Sequence, residues 1–423
     1  MSAEIRGTTR RRFLASSLVL LARQALGAAH TGPEPGAHEN AGVDYGKATL
    51  PSGIRSRRVD TNNNLVLHTL EAGFESPGRP CVVLLHGFPE LAYTWRNQML
   101  PLARAGYYVV APDARGYGLS AAQPVAYSDS LVPYSAFNRA ADVLGLIRAL
   151  GQRHVAMVVG HDWGGPTAQW CARLRPDVFR SVVSISTPFL PAPALPLNTA
   201  ARQAASATEV DIDKELASLP RPRKHYAFYN ASPQANEDMW HAPQGIHALL
   251  REIFYFKSAD WEGNQPFPLE SWTARELAKM PTYYIMDLHK GVAATMAEHQ
   301  PSSDYIAACK WMPEADLEVY ASQFSKTGFQ GGLNYYRVDS DESLWDELHS
   351  FAGKTIDVPA CFIGGANEWA VYQSPGAFQA MHTVCTQFKG AHLVPKAGHS
   401  VVEEKPDSVN RLLIEFLNKA AVA

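Results

Sequence analysis

The sequence predicts an α/β domain: a mostly parallel sheet with helices on both faces, interrupted by an inserted helical block. Short apolar runs recur along the chain, and most of those from Cys81 onward are continuous rather than alternating. Continuous apolar runs are typical of strands that are buried on both faces. Helical periodicity lies between the runs, but this alternation stops near Leu190 and the strand pattern resumes near Val358.

Six apolar runs are the candidate strands. In chain order they read LVLHTL, CVVLLH, YYVVAP, VAMVVG, SVVSIS and PACFIG. Apolar residues at positions 140, 143, 144, 147 and 150 repeat with helical spacing and predict a helix that ends before Gly151. The same spacing at positions 409, 412, 413, 416 and 417 predicts a C-terminal helix after Pro406.

The middle of the chain has a different character. It contains long amphipathic segments that are rich in aromatic residues, such as GIHALLREIFYF and PEADLEVYASQF. We therefore expect one α/β domain made of residues 54–189 and 353–423, with a helical cap of residues 190–352 inserted into it. The Pro/Gly-rich, unpatterned residues 30–53 are predicted to be a linker.

The first 29 residues have the pattern of a twin-arginine export signal. An arginine cluster at Arg10 and Arg11 precedes a short apolar run, and small residues follow around 25–29. The apolar run is broken at Arg23 and is much shorter than the ~20 residues that span a bilayer. We expect export to a bacterial periplasm or beyond, with no stable membrane insertion. A basic tail without a targeting role, or a mitochondrial presequence, is the alternative.

Composition excludes several classes of function. The formal net charge of the 423-residue chain is −3, and residues 1–29 carry five of its arginines against one glutamate, so the remainder is mildly acidic. An acidic domain without a basic stripe argues against a nucleic-acid partner. The five cysteines are widely spaced and predict buried single thiols. No metal-ligand spacing is found, and we expect no metal or cofactor.

The segment from Gly160 to Gly164 has the outline of a nucleophile elbow in which Asp162 stands where serine is usual. Asp162 could instead be a helix N-cap, but glycines on both sides of the triplet, directly after a buried strand, favour the elbow. A carboxylate that attacks a saturated carbon leaves an ester, which water can cleave, whereas serine would leave an ether. The aspartate therefore indicates substitution at an sp³ carbon, as in epoxides or alkyl halides.

At these residues the chain resembles the epoxide hydrolase branch of the α/β-hydrolase fold superfamily, over roughly residues 55–420. The motifs that carry the resemblance are HGFPE from His86, DARGYGLS from Asp113, GHDWGG from Gly160, NYYR from Asn334 and AGHSVVEEKP from Ala397. The resemblance implies that an epoxide and water are converted to a vicinal diol through a covalent aspartyl ester. It also implies an α/β-hydrolase fold with a helical cap.

The same resemblance implies roles for individual residues of the core. Asp162 would be the nucleophile, and His399 the base that directs water onto the ester. Glu368 would orient His399; many members of the family have aspartate there, so this chain departs by one methylene group. The backbone amides of Phe88 and Trp163 would form the oxyanion hole, and their side chains would contact substrate. His86 would brace its loop, with Pro89 and Glu90 at the edge of the pocket.

Two cap tyrosines would bind and protonate the epoxide oxygen. Tyr336 in GGLNYYR and Tyr226 in HYAFYNASP match the pattern of the family, with Tyr229, one turn from Tyr226, as the alternative first donor. Tyr283, Tyr284 and Tyr335 are interpreted as structural.

Two other functions are weighed against this interpretation. One is a dehalogenase of the same fold, whose leaving halide needs N–H donors rather than phenols. The other is a non-catalytic fold member that binds small molecules. The expected partners are a small apolar epoxide and water. The identity of the epoxide, the regioselectivity, the enantioselectivity, the signal cleavage site and the oligomeric state are left open.

Overall fold

Ten strands and sixteen helices lie within the part of the chain that the structure describes. The computed structural model describes Gly46 and residues 48–61, 64–194 and 211–420. The strands within these ranges are β1 (Arg55–Asp60), β2 (Val66–Ala72), β3 (Cys81–Leu85), β4 (Tyr108–Pro112), β5 (Val155–His161), β6 (Val182–Ile185), β7 (Arg223–His225), β8 (Ile285–Asp287), β9 (Ile356–Gly365) and β10 (Cys385–Val394).

Eight of the strands form one sheet in the order β1-β2-β4-β3-β5-β6-β9-β10. β1 and β2 are antiparallel to each other, and β2 is antiparallel to β4, whereas every other pair is parallel. Leu85 pairs with Gly160, and Ile185 pairs with both His161 and Ile363. The carboxyl ends of β3, β5, β6 and β9 therefore meet at one edge of the sheet, which is where ligands of open α/β sheets bind.

The helices are distributed between the two faces of the sheet and the cap. They are α1 (Arg96–Arg104), α2 (Ala136–Ala149), α3 (Gly164–Leu174), α4 (Ile212–Ala217), α5 (Tyr226–Asn230), α6 (Ala235–Trp240), α7 (Ile246–Lys257), α8 (Ala274–Leu277), α9 (Val292–Met296), α10 (Ser303–Ala308), α11 (Glu314–Thr327), α12 (Gln330–Asp339), α13 (Asp346–His349), α14 (Ala377–Val384), α15 (Val401–Glu404) and α16 (Pro406–Ala420). Short 3₁₀ turns connect several of them.

Both faces of the sheet are buried, as the continuous apolar runs predict. Val82 and Leu84 of β3 pack into one apolar cluster with α1 and α16, and Val83 packs into a second cluster with α2 and α3. Side chains that alternate along a strand thus meet helices on opposite faces. The predicted fold class is confirmed.

The inserted block lies between β6 and β9 and contains α4 to α13. It is not purely helical, because β7 and β8 form a two-stranded antiparallel pair within it. Both strands are only three residues long, so they carry no period-2 signal that the sequence could show. The outer strands β1 and β10 were also missed, since they are largely exposed and polar.

The five cysteines are free and buried, as the sequence predicts. Among the helices that the structure describes, none is both long enough and apolar enough to cross a bilayer. The predicted signal segment, residues 1–29, and the greater part of the predicted linker lie outside the described residues.

Candidate active site

Asp162 occupies a sharp turn between β5 and α3. Its φ of +50° places it in the left-handed region, which costs a non-glycine residue on the order of 1–3 kcal/mol. The turn is tight enough to exclude side chains: a Cβ on Gly160 would lie 2.0 Å from the Gly164 carbonyl oxygen, and one on Gly164 would lie 2.2 Å from that of Leu85. The two glycines let strand and helix pass, and the turn holds the carboxylate above the carboxyl edge of the sheet.

The two carboxylate oxygens of Asp162 have different neighbours. Oδ1 accepts a hydrogen bond from the Phe88 amide at 2.8 Å, and Oδ2 lies 3.4 Å from Nε2 of His399. Helix α3 has Trp163 at its N-cap, without a side-chain cap, so Asp162 is not its capping residue. Burial acts to raise the pKa of Asp162, but the neighbouring imidazole of His399 outweighs it and holds this pKa well below its usual range. The carboxylate is ionised and available as a nucleophile.

His399 and Glu368 come together although 31 residues separate them. Nδ1 of His399 hydrogen-bonds Oε1 of Glu368, and the Glu368 side chain is fully buried. Glu368 follows β9, and His399 lies in the turn between β10 and α15. The glutamate therefore reaches the imidazole despite its extra methylene group. This bond fixes the ring so that Nε2 faces Asp162.

A second histidine–carboxylate pair lies beneath the nucleophile. Oε2 of Glu90 accepts hydrogen bonds from Nδ1 of His161 at 2.9 Å and from the Gly87 amide at 3.0 Å. Burial opposes the charged imidazole, but the Glu90 carboxylate outweighs it and raises the pKa of His161 to about 9. The protonated ring then donates from Nε2 to the His399 carbonyl oxygen at 2.8 Å. Glu90 is thus buried at 1% exposure, not at the pocket edge as predicted.

Sequence reasoning missed the role of His161. It stands next to the nucleophile in the GHDWGG motif, but a histidine at the end of a buried strand does not reveal its partner. The signal that could have found it is the coincidence of a buried-strand histidine with a glutamate in the HGFPE loop.

His86 braces the loop that carries the Phe88 amide. Its Nε2 accepts from the Ala114 amide at 2.9 Å, so Nδ1 carries the proton and donates to the Gly87 carbonyl oxygen at 2.9 Å. Burial lowers the pKa of His86, which agrees with a neutral ring that accepts on one side and donates on the other. The amide of Phe88 is thereby held in place.

Tyr336 of the cap packs against aromatic residues beside the nucleophile. It lies on α12, is 4% exposed, and packs edge-on against Trp163 and Phe88 at ring distances of 4.9 and 5.6 Å. Burial, with a smaller contribution from the Asp162 charge, raises the pKa of Tyr336 well above its usual value. The Phe88 ring is itself 1% exposed and also packs against Phe329, so it supports Tyr336, while Trp163 remains partly exposed.

Tyr226, the first residue of α5, is the other cap phenol in this region. Its ring lies 6.0 Å from that of Tyr336, and burial together with the Asp162 charge raises its pKa. Tyr229 faces elsewhere, because the Lys224 ammonium lies 4.2 Å from its ring, and burial together with Asp238 raises the pKa of its hydroxyl. The geometry therefore favours Tyr226 over Tyr229 as the partner of Tyr336.

The arrangement suits substitution at carbon followed by hydrolysis. It combines an ionised carboxylate, an amide that donates to one carboxylate oxygen, and an oriented imidazole beside the other oxygen. Two phenols that stay protonated at neutral pH complete the site. Within the described ranges, no group of three metal-binding side chains is placed to hold an ion.

Comparisons with known proteins agree with this chemistry. The family model for the alpha/beta hydrolase fold matches residues 80–406. Epoxide hydrolase B of Mycobacterium tuberculosis is 34% identical over 352 residues, which cover 80% of this chain and 91% of that protein. An epoxide hydrolase of Caballeronia sordidicola is 30% identical over 368 residues, covering 87% of this chain and 95% of that protein.

Solved structures give the same result. An epoxide hydrolase from an endophytic Streptomyces superposes with a TM-score of 0.70 at 29% identity, covering 88% of this chain and 98% of that one. Epoxide hydrolase A from Mycobacterium thermoresistibile superposes with a TM-score of 0.66 at 29% identity, covering 86% of this chain and 98% of that one.

Proposed function

The chain belongs to the epoxide hydrolases of the α/β-hydrolase fold family, and we propose that it converts an epoxide and water to a vicinal diol through an ester on Asp162. One observation carries the proposal most directly. An ionised aspartate with a φ of +50° lies between an amide donor and an oriented histidine, and its charge acts on two protonated cap phenols whose rings are 6.0 Å apart.

In the first step, Oδ2 of Asp162 attacks a ring carbon, and the carbon–oxygen bond of the epoxide breaks. The departing oxygen develops negative charge, so it needs a donor that is not itself an anion. Tyr226 and Tyr336 meet this requirement because burial and the Asp162 charge keep both phenols protonated. One phenol gives its proton to the oxygen and regains a proton from solvent, and the product is a hydroxyalkyl ester of Asp162.

In the second step, Nε2 of His399 takes a proton from water, and the resulting hydroxide adds to the ester carbonyl carbon. The carbonyl oxygen is Oδ1, which the Phe88 amide already contacts at 2.8 Å. That amide stabilises the charge that develops there, and the amide of Trp163 is proposed to assist it. Collapse of the tetrahedral intermediate transfers the imidazolium proton to the leaving oxygen and releases the diol, and the regenerated carboxyl group of Asp162 loses its proton to solvent, which returns the carboxylate. Glu368 stabilises the imidazolium that forms in between.

Trapping the ester tests the proposal. We expect the variant His399→Gln to gain the mass of one epoxide on the peptide that contains Asp162 when it is mixed with styrene oxide, because alkylation proceeds without the base. Intact-protein and peptide mass spectrometry measure the adduct. The exposed His392 provides a matched control, and His392→Gln should turn over without accumulating ester.

A diol that forms without any adduct in His399→Gln would contradict the two-step scheme. A single turnover of the wild type in ¹⁸O water gives an independent check, since hydrolysis at the ester carbonyl leaves label in the Asp162 carboxylate. Release of chloride from chloroalkanes, measured beside diol formation, separates this activity from dehalogenation. Tight epoxide binding without diol would favour a binding protein.

The proposed substrate is an apolar epoxide. Supporting this, the pocket region around Asp162 carries the partly exposed indole of Trp163 and the cap phenols, and further cap aromatics, Tyr283 and Tyr284, pack against Tyr226 at 5.5 Å. A panel from small terminal to bulky disubstituted epoxides, compared by kcat/KM, defines the size limit.

We further propose that residues 1–29 direct export through the twin-arginine pathway to the periplasm or beyond. The support is the sequence pattern alone: the arginine cluster, the short apolar run and the small residues that follow. Fractionation of bacterial cells tests it. The native chain should leave the cytoplasm, and the double variant Arg10→Lys, Arg11→Lys should remain there.

A further inference from the structure

Lys257 is a buried lysine that the reaction described above does not use. It is the last residue of cap helix α7 and is only 6% exposed. Its ammonium lies 5.3 Å from the centre of the Tyr283 ring, which in turn lies 5.5 Å from the ring of Tyr226. Among the described residues it has no ion-pair partner within 4.0 Å, although burial of an ammonium normally demands one.

The backbone of Lys257 contacts the catalytic histidine loop directly. Its carbonyl oxygen accepts from the His399 amide at 2.9 Å and from Nδ2 of Asn264 at 3.1 Å. A Cβ on Gly398 would lie 2.2 Å from that oxygen, so glycine is required for the loop to approach the helix end this closely. The cap therefore presents Lys257 at a fixed position beside His399.

Three carboxylates partly offset the effect of burial on the Lys257 ammonium. Burial lowers the pKa of Lys257, while the charges of Asp162, Glu368 and Glu90 act to raise it. These are the nucleophile, the carboxylate that orients His399, and the carboxylate that pairs with His161. The other titratable groups packed around this region are His161, Tyr226, Tyr283, Tyr284, Tyr336 and Glu404.

We propose that Lys257 is a positioning residue for ester hydrolysis, which supplies from the cap the positive charge that keeps His399 neutral and able to accept a proton. The inference rests on the proposed function and adds a group that acts through His399 without touching substrate.

Charge balance in the ester intermediate gives the physical reason. Esterified Asp162 is neutral, and so are both phenols once the proton donor has been reprotonated from solvent, so Glu90 and Glu368 carry the two negative charges beside His399. His161, whose pKa Glu90 raises to about 9, carries one positive charge, and Lys257 carries the other. The charges around a neutral His399 then sum to zero. Without Lys257 one negative charge is left over, and it would favour the protonated imidazole, which cannot act as a base.

The test replaces Lys257 with residues that keep or remove its charge. Lys257→Met removes the charge and retains much of the side-chain length, Lys257→Gln is a polar neutral replacement in case the methionine variant fails to fold, and Lys257→Arg keeps the charge. Lys326 lies exposed in the last turn of cap helix α11, so Lys326→Met is the matched control.

The readout is the pH dependence of ester hydrolysis, followed with styrene oxide by rapid quench and mass spectrometry of the protein. In Lys257→Met and Lys257→Gln, the acid limb should move to higher pH by about one unit, as expected for one unit charge nearby in a partly buried site. Ester should accumulate below that pH. Lys257→Arg and Lys326→Met should retain the wild-type limb.

An acid limb that stays in place in both neutral variants would overturn the inference, as would an equal displacement in Lys257→Arg. A uniform loss of rate at all pH values indicates only a structural role and also overturns it. If ester still forms in these cases, the proposed function stands without the role of Lys257. If His399→Gln forms no ester, both fail together.

Discussion

The core and the cap contribute groups of opposite character to the same pocket. The core contributes ionised groups: Asp162, 17% exposed at its side chain, and the buried carboxylates of Glu90 and Glu368. The cap contributes neutral phenols from Tyr226 and Tyr336. The cap also contributes the ammonium of Lys257.

The difference follows from the free energy that it costs to bury each kind of group. A buried carboxylate needs fixed hydrogen-bond donors, and the core loops provide them as the amides of Phe88 and Gly87 and the rings of two histidines. A phenol needs no countercharge, so it can be carried by a separately packed element. The bond-forming chemistry should therefore depend on the core for both steps, and on the cap phenols for ring opening alone.

The largest expected effect comes from the core nucleophile. Asp162→Ala should reduce turnover by on the order of 10⁵-fold or more, because it removes the atom that forms the covalent bond. Diol formation measures the loss, with the exposed Asp177→Ala as control. Turnover within about tenfold of the wild type would show that water attacks the epoxide directly.

The cap phenols should affect only the first step. The double variant Tyr226→Phe, Tyr336→Phe should slow ester formation by roughly 10²–10⁴-fold, as expected for loss of a general acid. The hydrolysis rate of ester already formed should stay near the wild-type value. Stopped-flow Trp163 fluorescence can separate the two rates. Tyr229→Phe should change neither rate, and a large effect of that variant would reverse the choice between Tyr226 and Tyr229.

The buried pair of Glu90 and His161 beneath the nucleophile should make the stability of the fold depend on pH. Glu90 raises the pKa of His161 from 6.5 to about 9, so the pair stabilises the fold fully below pH 6.5, and this contribution is lost as pH rises through 9. Its magnitude is on the order of 3 kcal/mol. Glu90→Gln should therefore lower the free energy of unfolding most near pH 6 and least above pH 9.

Urea unfolding at pH 6, 7.5 and 9.5 checks this dependence. A difference between wild type and Glu90→Gln that is the same at each pH would mean that the pair does not titrate as described.

The smallest effect is expected where this chain departs from many of its relatives. Glu368→Asp should reduce kcat by about tenfold, because the loop after β9 is built for the longer side chain and the shorter one withdraws from Nδ1 of His399. Glu368→Gln should reduce kcat by a larger factor, since an amide cannot stabilise the imidazolium by charge. If Glu368→Asp equals or exceeds the wild type, the extra methylene group has no positioning role.

Several features of the fold and the site could be predicted because their signals are local. The elbow at Asp162 is encoded by a buried strand and two nearby glycines, and the continuous run of β5 shows burial on both faces. The outer strand β10 gives no such signal, because most of its side chains are exposed and polar. Tyr226 and Tyr229 could not be separated by spacing, since they share a helical face in sequence; only their contacts with Tyr336 and with Lys224 distinguish them.

The sequence by itself determined the α/β class, the inserted cap, the identity of the nucleophile and its reaction type, substitution at an sp³ carbon. It could do so because periodicity and turn residues act over a few neighbouring positions. Tertiary structure alone decided which charges meet. Glu90 and His161 are 71 residues apart, and Lys257 reaches the His399 loop from another part of the molecule. Electrostatic interactions depend on distance in space and on burial, and neither quantity is written in the spacing along the chain.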